Sequence, residues 1–131
     1  MQLSGLGKVI KVETAIQMND AVNEAGPFDI AICAAAVSDW RPKEKAKTKI
    51  KKTATGKPPK LELVENPDIL KNLCISKNRP KLVIGFAAET DNLLLNAKSK
   101  LKNKGCDWII ANKVNAESQN MGGEELSLIH I

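Results

Sequence analysis

The sequence predicts an α/β fold: a Rossmann-like, open and mostly parallel sheet with flanking helices and a long lysine-rich flap. Three observations carry that expectation. Apolar runs at residues 28–37, 81–88 and 107–111 read as strands, stretches with helical spacing lie between them, and this alternation repeats along the chain. With 131 residues and 43% hydrophobic content, the chain suits one core, so one domain or a piece of one. Ligands of such sheets gather beyond the carboxyl ends of the strands.

Residues 8–12 alternate around Val9, Ile10 and Val12 as a short strand does, and Thr14 stands where a helix N-cap belongs. Ala15, Met18, Ala21, Val22 and Ala25 then recur at helical spacing until Gly26 and Pro27 end the helix. The nearly continuous apolar run at 28–37 predicts a strand covered on both faces. From 38 to 60 the periodicity vanishes into Lys, Thr, Pro and Gly, a loop longer than the ~15 residues usual in a compact domain. Order resumes at Leu61 and Leu63, followed by a helix over 67–77 with Asn66 as its cap and Pro67 in its first turn. Residues 81–88 form the next buried strand. Thr90 or Asp91 caps a third helix that runs to Lys104 and stops at Gly105, and 107–111 supplies a further strand.

The net charge of +5 is concentrated between Lys43 and Lys60 and between Lys98 and Lys104, which implies an anionic partner. The chain has no tyrosine, two Trp, two Phe and no arginine-rich or zinc-finger pattern, so a phosphorylated small molecule explains the charge as well as nucleic acid does. No apolar run approaches the roughly 20 residues that cross a bilayer, and residues 1–7 lack the pattern of a signal peptide. A cytoplasmic location, with no membrane partner, is expected. Cys33, Cys74 and Cys106 lack zinc or redox spacing and read as reduced, mostly buried thiols. Residues 126–131, reading LSLIHI, follow a polar stretch abruptly and look less like a strand than a non-native tail. Setting them aside removes His130, the only histidine, and with it histidine-dependent nucleophilic catalysis. What remains is placement and charge neutralisation, which suits nucleotidyl transfer.

Five segments can carry that chemistry, each with a plainer alternative. In residues 33–42 a buried strand breaks into a turn where small residues admit a ligand to the backbone and Asp39 can accept from a sugar hydroxyl or help hold a metal. Equally, the alanines pack beneath a helix and Asp39 caps a turn. Lys49-Ile50-Lys51-Lys52 can close over a polyphosphate, or form a solvated flap. Lys100 and Lys104, four apart on one helical face, fall beside Leu93 and Ala97 at the edge of the apolar stripe, while Asn96, Ser99 and Asn103 occupy the outer face. They reach into a cleft or merely offset the helix C-terminus. Phe86, in Gly85-Phe86-Ala87-Ala88-Glu89-Thr90, flanks a base or packs in the core. Asn66-Pro67-Asp68-Ile69-Leu70 opens a helix and offers its N–H groups to a ligand, or is an ordinary helix start.

In their order and spacing, the AAV-x-D-W-RP turn, the KIKK flap, NPDIL, GFAAET and a late A-N-x-V resemble the synthetase domain of the bacterial phosphopantothenoylcysteine synthetase family, over residues 8–114. The resemblance implies a CTP-dependent phosphopantothenate–cysteine ligase of coenzyme A synthesis. Cys33, Ala34, Ala35 and Asp39 would line the CTP site, Asp39 toward the ribose, with Lys49 as catalytic lysine. Pro67, Asp68, Ile69 and Leu70 would surround the cytosine, Phe86 would lie along the nucleotide, and Lys100 and Lys104 would hold the triphosphate. Mg²⁺ would bridge phosphate oxygens without dedicated protein ligands. The partners implied are 4′-phosphopantothenate, L-cysteine and a second copy of the domain in a homodimer or higher oligomer, with FMN only where a decarboxylase domain is fused upstream.

The family's glycine-rich loop, its N-x-S-S-G-K-M-G segment and its C-terminal strands are absent, and Lys113 replaces the usual Asp of A-N-D-V. Residues 1–125 are therefore expected to be part of the domain, and the polypeptide alone to be inactive and poorly folded. An ATP-using relative, a basic nucleic-acid-binding module and a non-catalytic remnant stay open beside the ligase.

Overall fold

The computed structural model describes residues 7–44, 56, 58, 60–89, 91–113 and 126–130. Lys49, Thr90 and Val114 lie outside the described residues, as does the side chain of Lys113. In chain order the elements are α1 (Ala15–Ala25), β1 (Ile30–Cys33), β2 (Trp40–Pro42), β3 (Leu63–Glu65), α2 (Ile69–Ile75), β4 (Leu82–Glu89), α3 (Leu93–Lys104), β5 (Trp108–Lys113) and β6 (Leu126–His130). Four strands form one sheet in the order β1-β4-β5-β6, and β2 pairs with β3 in a separate antiparallel ribbon. β1, β4 and β5 run parallel, with Ile30 opposite Leu82 and Ile84 opposite Trp108, so the fold is the mostly parallel α/β sheet expected.

Local chemistry explains the helix boundaries. Thr14 is extended, its hydroxyl accepts from the Gln17 N–H at 3.2 Å, and Gln17 Oε1 accepts in return from the Thr14 N–H at 3.2 Å. This reciprocal pair satisfies donors that the first turn of α1 leaves orphaned. α3 ends at Gly105, whose left-handed φ of 76° lets its N–H reach the Leu101 carbonyl at 3.0 Å. Its start departs from expectation: Asn92, itself left-handed, occupies the cap position instead of Asp91, without a capping side-chain bond.

Strand parity places Ala31 and Cys33 of β1, Val83 and Ala87 of β4, Ile109 and Ala111 of β5, and Ile129 of β6 on the face that receives the helices. They pack with Leu73 and Cys74 of α2, Ala97 and Leu101 of α3, and Val22 of α1. Leu101 and Ile109 are essentially withdrawn from water, each worth about 2 kcal/mol of apolar burial.

Four expectations are corrected here. Residues 8–12 form no paired strand: Val9 and Ile10 are exposed, and the alternation finds no neighbouring edge among the described residues. The run at 28–37 shortens to β1, covered on one face only, since Ile30 is 57% and Ile32 64% exposed. The interval 38–60 contains a strand, β2. Residues 126–130, which read as less like a strand than a tail, form β6, pairing antiparallel with β5 through Ile109 opposite Ile129, and buried Ile129 extends the core. No described helix is long and apolar enough to cross a membrane.

Candidate functional site

Asn66 organises the carboxyl edge of the sheet. Its N–H donates to the Asp39 carbonyl at 2.8 Å, its Nδ2 donates to the Ser38 carbonyl at 2.8 Å, and its Oδ1 accepts from Arg41 at 3.3 Å. Arg41 also donates to the Glu65 carbonyl, so the β2–β3 ribbon is locked to the same point. With its amide committed this way, Asn66 cannot cap the next helix. The cap is Asp68, whose Oδ1 accepts from the Lys71 N–H at 3.1 Å, and α2 starts at Ile69, later than expected. The consequence is positional: Asp39 is drawn to the mouth of α2.

The lysines of α3 approach from the other side. Lys100 donates to the Phe86 carbonyl at 2.8 Å, and Lys104 forms an ion pair with Asp68 Oδ2 at 2.5 Å. Both are half-buried at the edge of the stripe made by Ala97 and Leu101. Gly85 allows α2 to come close to β4, since a Cβ there would stand 2.8 Å from Leu70 Cδ2.

Between these elements lies a cleft with two lobes. The apolar lobe, about 500 Å³, is lined by Cys33, Ala34, Ala35, Asp39, Pro67, Asp68, Ile69, Leu70, Phe86, Lys100 and Lys104, with Met18 and Val22 of α1 closing one wall. The polar lobe, about 480 Å³, shares Asp39, Asp68, Lys100 and Lys104 and adds Lys71, Asn96, Ser99 and Asn103. Every described candidate residue therefore faces one space at the carboxyl ends of β1 and β4. Lys49 is the exception, because it lies outside the described residues.

Burial alone would raise the Asp68 carboxyl. The hydrogen bond from Lys104, the Lys71 N–H and the charges of both lysines outweigh it and hold the group below the usual carboxylate range. Asp68 is thus an anion that fixes Lys104. Burial raises the Cys33 thiol, which keeps it neutral beside the cleft. Among the described residues no group of three or more His, Cys, Asp or Glu side chains could hold a metal ion.

Sequence reasoning missed Met18, Val22, Lys71, Asn96, Ser99 and Asn103 as cleft residues. Asn96, Ser99 and Asn103 were expected on an outer face, and the helical wheel is correct that they avoid the apolar stripe. What stands across from them, α2 and the Asp39 turn, is a tertiary fact. The Met18 and Val22 positions were legible only as the apolar stripe of α1.

The family model described as DNA/pantothenate metabolism flavoprotein C-terminal domain matches residues 3–131. The coenzyme A biosynthesis bifunctional protein CoaBC of Mycobacterium bovis is 39% identical over 117 residues, covering 82% of this chain and 28% of that protein. The protein of the same name from Borreliella burgdorferi is 43% identical over 108 residues, covering 81% and 27%. That from Vibrio cholerae is 39% identical over 121 residues, covering 91% and 30%. The chain thus spans less than a third of the length of these relatives. A crystal structure of the C-terminal domain of coenzyme A biosynthesis bifunctional protein CoaBC superposes with a TM-score of 0.62 at 36% identity, covering 81% of this chain and 47% of that one.

Proposed function

Because this chain belongs to the DNA/pantothenate metabolism flavoprotein C-terminal domain family, we propose that it forms the nucleotide site of a CTP-dependent phosphopantothenate–cysteine ligase. The observation that carries the reading is the convergence of Lys100 and Lys104 with Asp39 and Phe86 on one cleft at the carboxyl edge of a parallel sheet. The names of the relatives, all coenzyme A biosynthesis proteins, support the substrate class.

In this reading the cytosine enters the apolar lobe between the 67–70 turn and Phe86, where the small side chains of Ala34 and Ala35 leave the backbone open to the base. Asp39 accepts from the ribose. The triphosphate runs toward Lys100 and Lys104, and Lys49, outside the described residues, takes the catalytic-lysine role that the family resemblance implies. A carboxylate oxygen of 4′-phosphopantothenate attacks the α-phosphorus and the bond to the β-phosphate oxygen breaks, giving acyl-cytidylate and pyrophosphate. The cysteine amine then attacks the acyl carbon, the amide forms with loss of a proton, and CMP leaves. Lysine ammonium groups fixed before the reaction need no reorganisation as charge develops on the phosphates. Bound Mg²⁺ would supply further neutralisation at the same oxygens. The domain is read as a homodimer in a cytoplasmic enzyme, and FMN belongs to a fused decarboxylase where one is present.

The test, on the full-length protein that carries this domain, is pyrophosphate release in the presence of CTP, 4′-phosphopantothenate and Mg²⁺, followed by amide formation when cysteine is added. Release is expected to require both CTP and phosphopantothenate, and to be lost in Lys49→Ala. Equal release with ATP would transfer the reading to an ATP-using relative. Binding of an oligonucleotide that excess CTP does not displace would replace it with a nucleic-acid module.

A further inference from the structure

The two lobes of the cleft differ in what their cations are doing. Lys104 is committed to Asp68 at 2.5 Å, so much of its charge is already answered. Lys100 donates to the neutral Phe86 carbonyl, and among the described residues neither it nor Lys71 makes an ion pair. Lys71 nevertheless lines the polar lobe and lies close enough to Asp68 to help hold its carboxyl down. The ammonium groups of this lobe that form no ion pair among the described residues therefore stand on opposite walls, Lys71 on α2 and Lys100 on α3. On the α3 wall with Lys100, Ser99 and Asn103, one helical turn apart and joined by an Asn103 Nδ2 to Ser99 Oγ bond at 3.3 Å, add neutral polar groups.

Resting on the nucleotide reading above, we infer that the polar lobe receives the terminal phosphates, the part that departs as pyrophosphate, and that Lys71 is a specificity-determining contact for triphosphate over monophosphate. A nucleoside monophosphate fills the apolar lobe and reaches Lys100 but leaves the far wall untouched. A triphosphate spans both walls. The carboxylate of Asp68, at the junction of the lobes, repels a phosphate placed directly on it and directs the chain of phosphates outward, toward Lys71 and Ser99.

The experiment compares Kd values for CTP, CMP and inorganic pyrophosphate in the wild-type protein, Lys71→Gln and Lys71→Arg. Lys71→Gln is expected to weaken CTP about fivefold, as loss of one exposed charge contact of about 1 kcal/mol does. It should weaken pyrophosphate similarly and leave CMP unchanged, while Lys71→Arg restores CTP and pyrophosphate. A loss of folding would lower all three ligands together, which separates a structural role from a contact. Wild-type preference for CTP over CMP that survives Lys71→Gln unchanged overturns the assignment of Lys71 alone. Failure of the wild-type protein to bind either nucleotide overturns the nucleotide reading and this inference with it.

Discussion

Gly85→Ala tests how closely the site is built onto the core. The added Cβ would lie 2.8 Å from Leu70 Cδ2 and 2.9 Å from Ile109 Cδ1. Carbon atoms rest at about 3.5–4.0 Å, so each neighbour must retreat by roughly 0.6–1.2 Å. Ile109 is wholly buried in the sheet, whereas Leu70 is half-buried and lines the cleft, so Leu70 is the neighbour with room to move. Overpacking of this kind costs about 1–3 kcal/mol, and the stiffer unfolded chain returns about 0.4–1 kcal/mol. The expected net loss is about 1–2 kcal/mol, read as a lower urea midpoint at unchanged slope, followed by tryptophan fluorescence. Combining it with Leu70→Ala removes one of the clashing methyls, so the double variant should lose less than the sum of the two single losses, by about 1 kcal/mol. A Gly85→Ala midpoint at or above wild type, or strictly additive losses, would refute this account of the packing.

Asp107 bonds the buried Val83 N–H at 2.7 Å and pairs with Arg79 at 2.9 Å, and these partners overcome burial to hold its carboxyl below the usual range. A depressed folded value means the contribution is complete above the unfolded value of about 3.9 and is lost as pH falls through the folded one. Asp107→Ala should therefore cost roughly 1–3 kcal/mol at neutral pH, by orphaning the Val83 N–H, and flatten the loss of stability below about pH 4 in acid titrations of unfolding. Burial pushes the Cys74 thiol up to about 11 and raises Cys106 as well, so a thiol reagent at pH 8 should leave both unlabelled in the native state. Mass spectrometry after urea should find all three cysteines modified; rapid native labelling of Cys74 would contradict the core placement. The uncovered sheet face carrying Ile30, Ile32 and Leu128 should bind a hydrophobic dye, and Ile32→Thr should reduce that signal with little change in unfolding midpoint.

Those parts of the fold governed by neighbouring residues were readable in advance. The Thr14 cap, the Gly105 stop and the apolar runs of β4 and β5 depend on interactions a few residues apart or on burial so complete that the pattern is continuous. The failures share one cause. Whether residues 8–12 pair depends on a free edge elsewhere, and whether Asn66 or Asp68 caps α2 depends on Ser38 and Arg41. β6 was set aside because its composition changes abruptly, yet Ile109 across the ladder decides its place. For the site, motif resemblance marked the residues that meet at the cleft, while Lys71, Asn96 and Ser99, which carry no motif, became visible only when α2 and α3 stood face to face.

The pairing of β1 with β4 also sets a timetable for biogenesis. Among the described residues Ile30–Cys33 joins the sheet through Leu82–Gly85, and that pairing waits until the distant stretch emerges from the ribosome. At about 5–20 residues per second the wait is roughly 3–10 seconds. Throughout it Ile30 and Ile32 are without that native pairing, an interval in which their apolar side chains stay open to a chaperone.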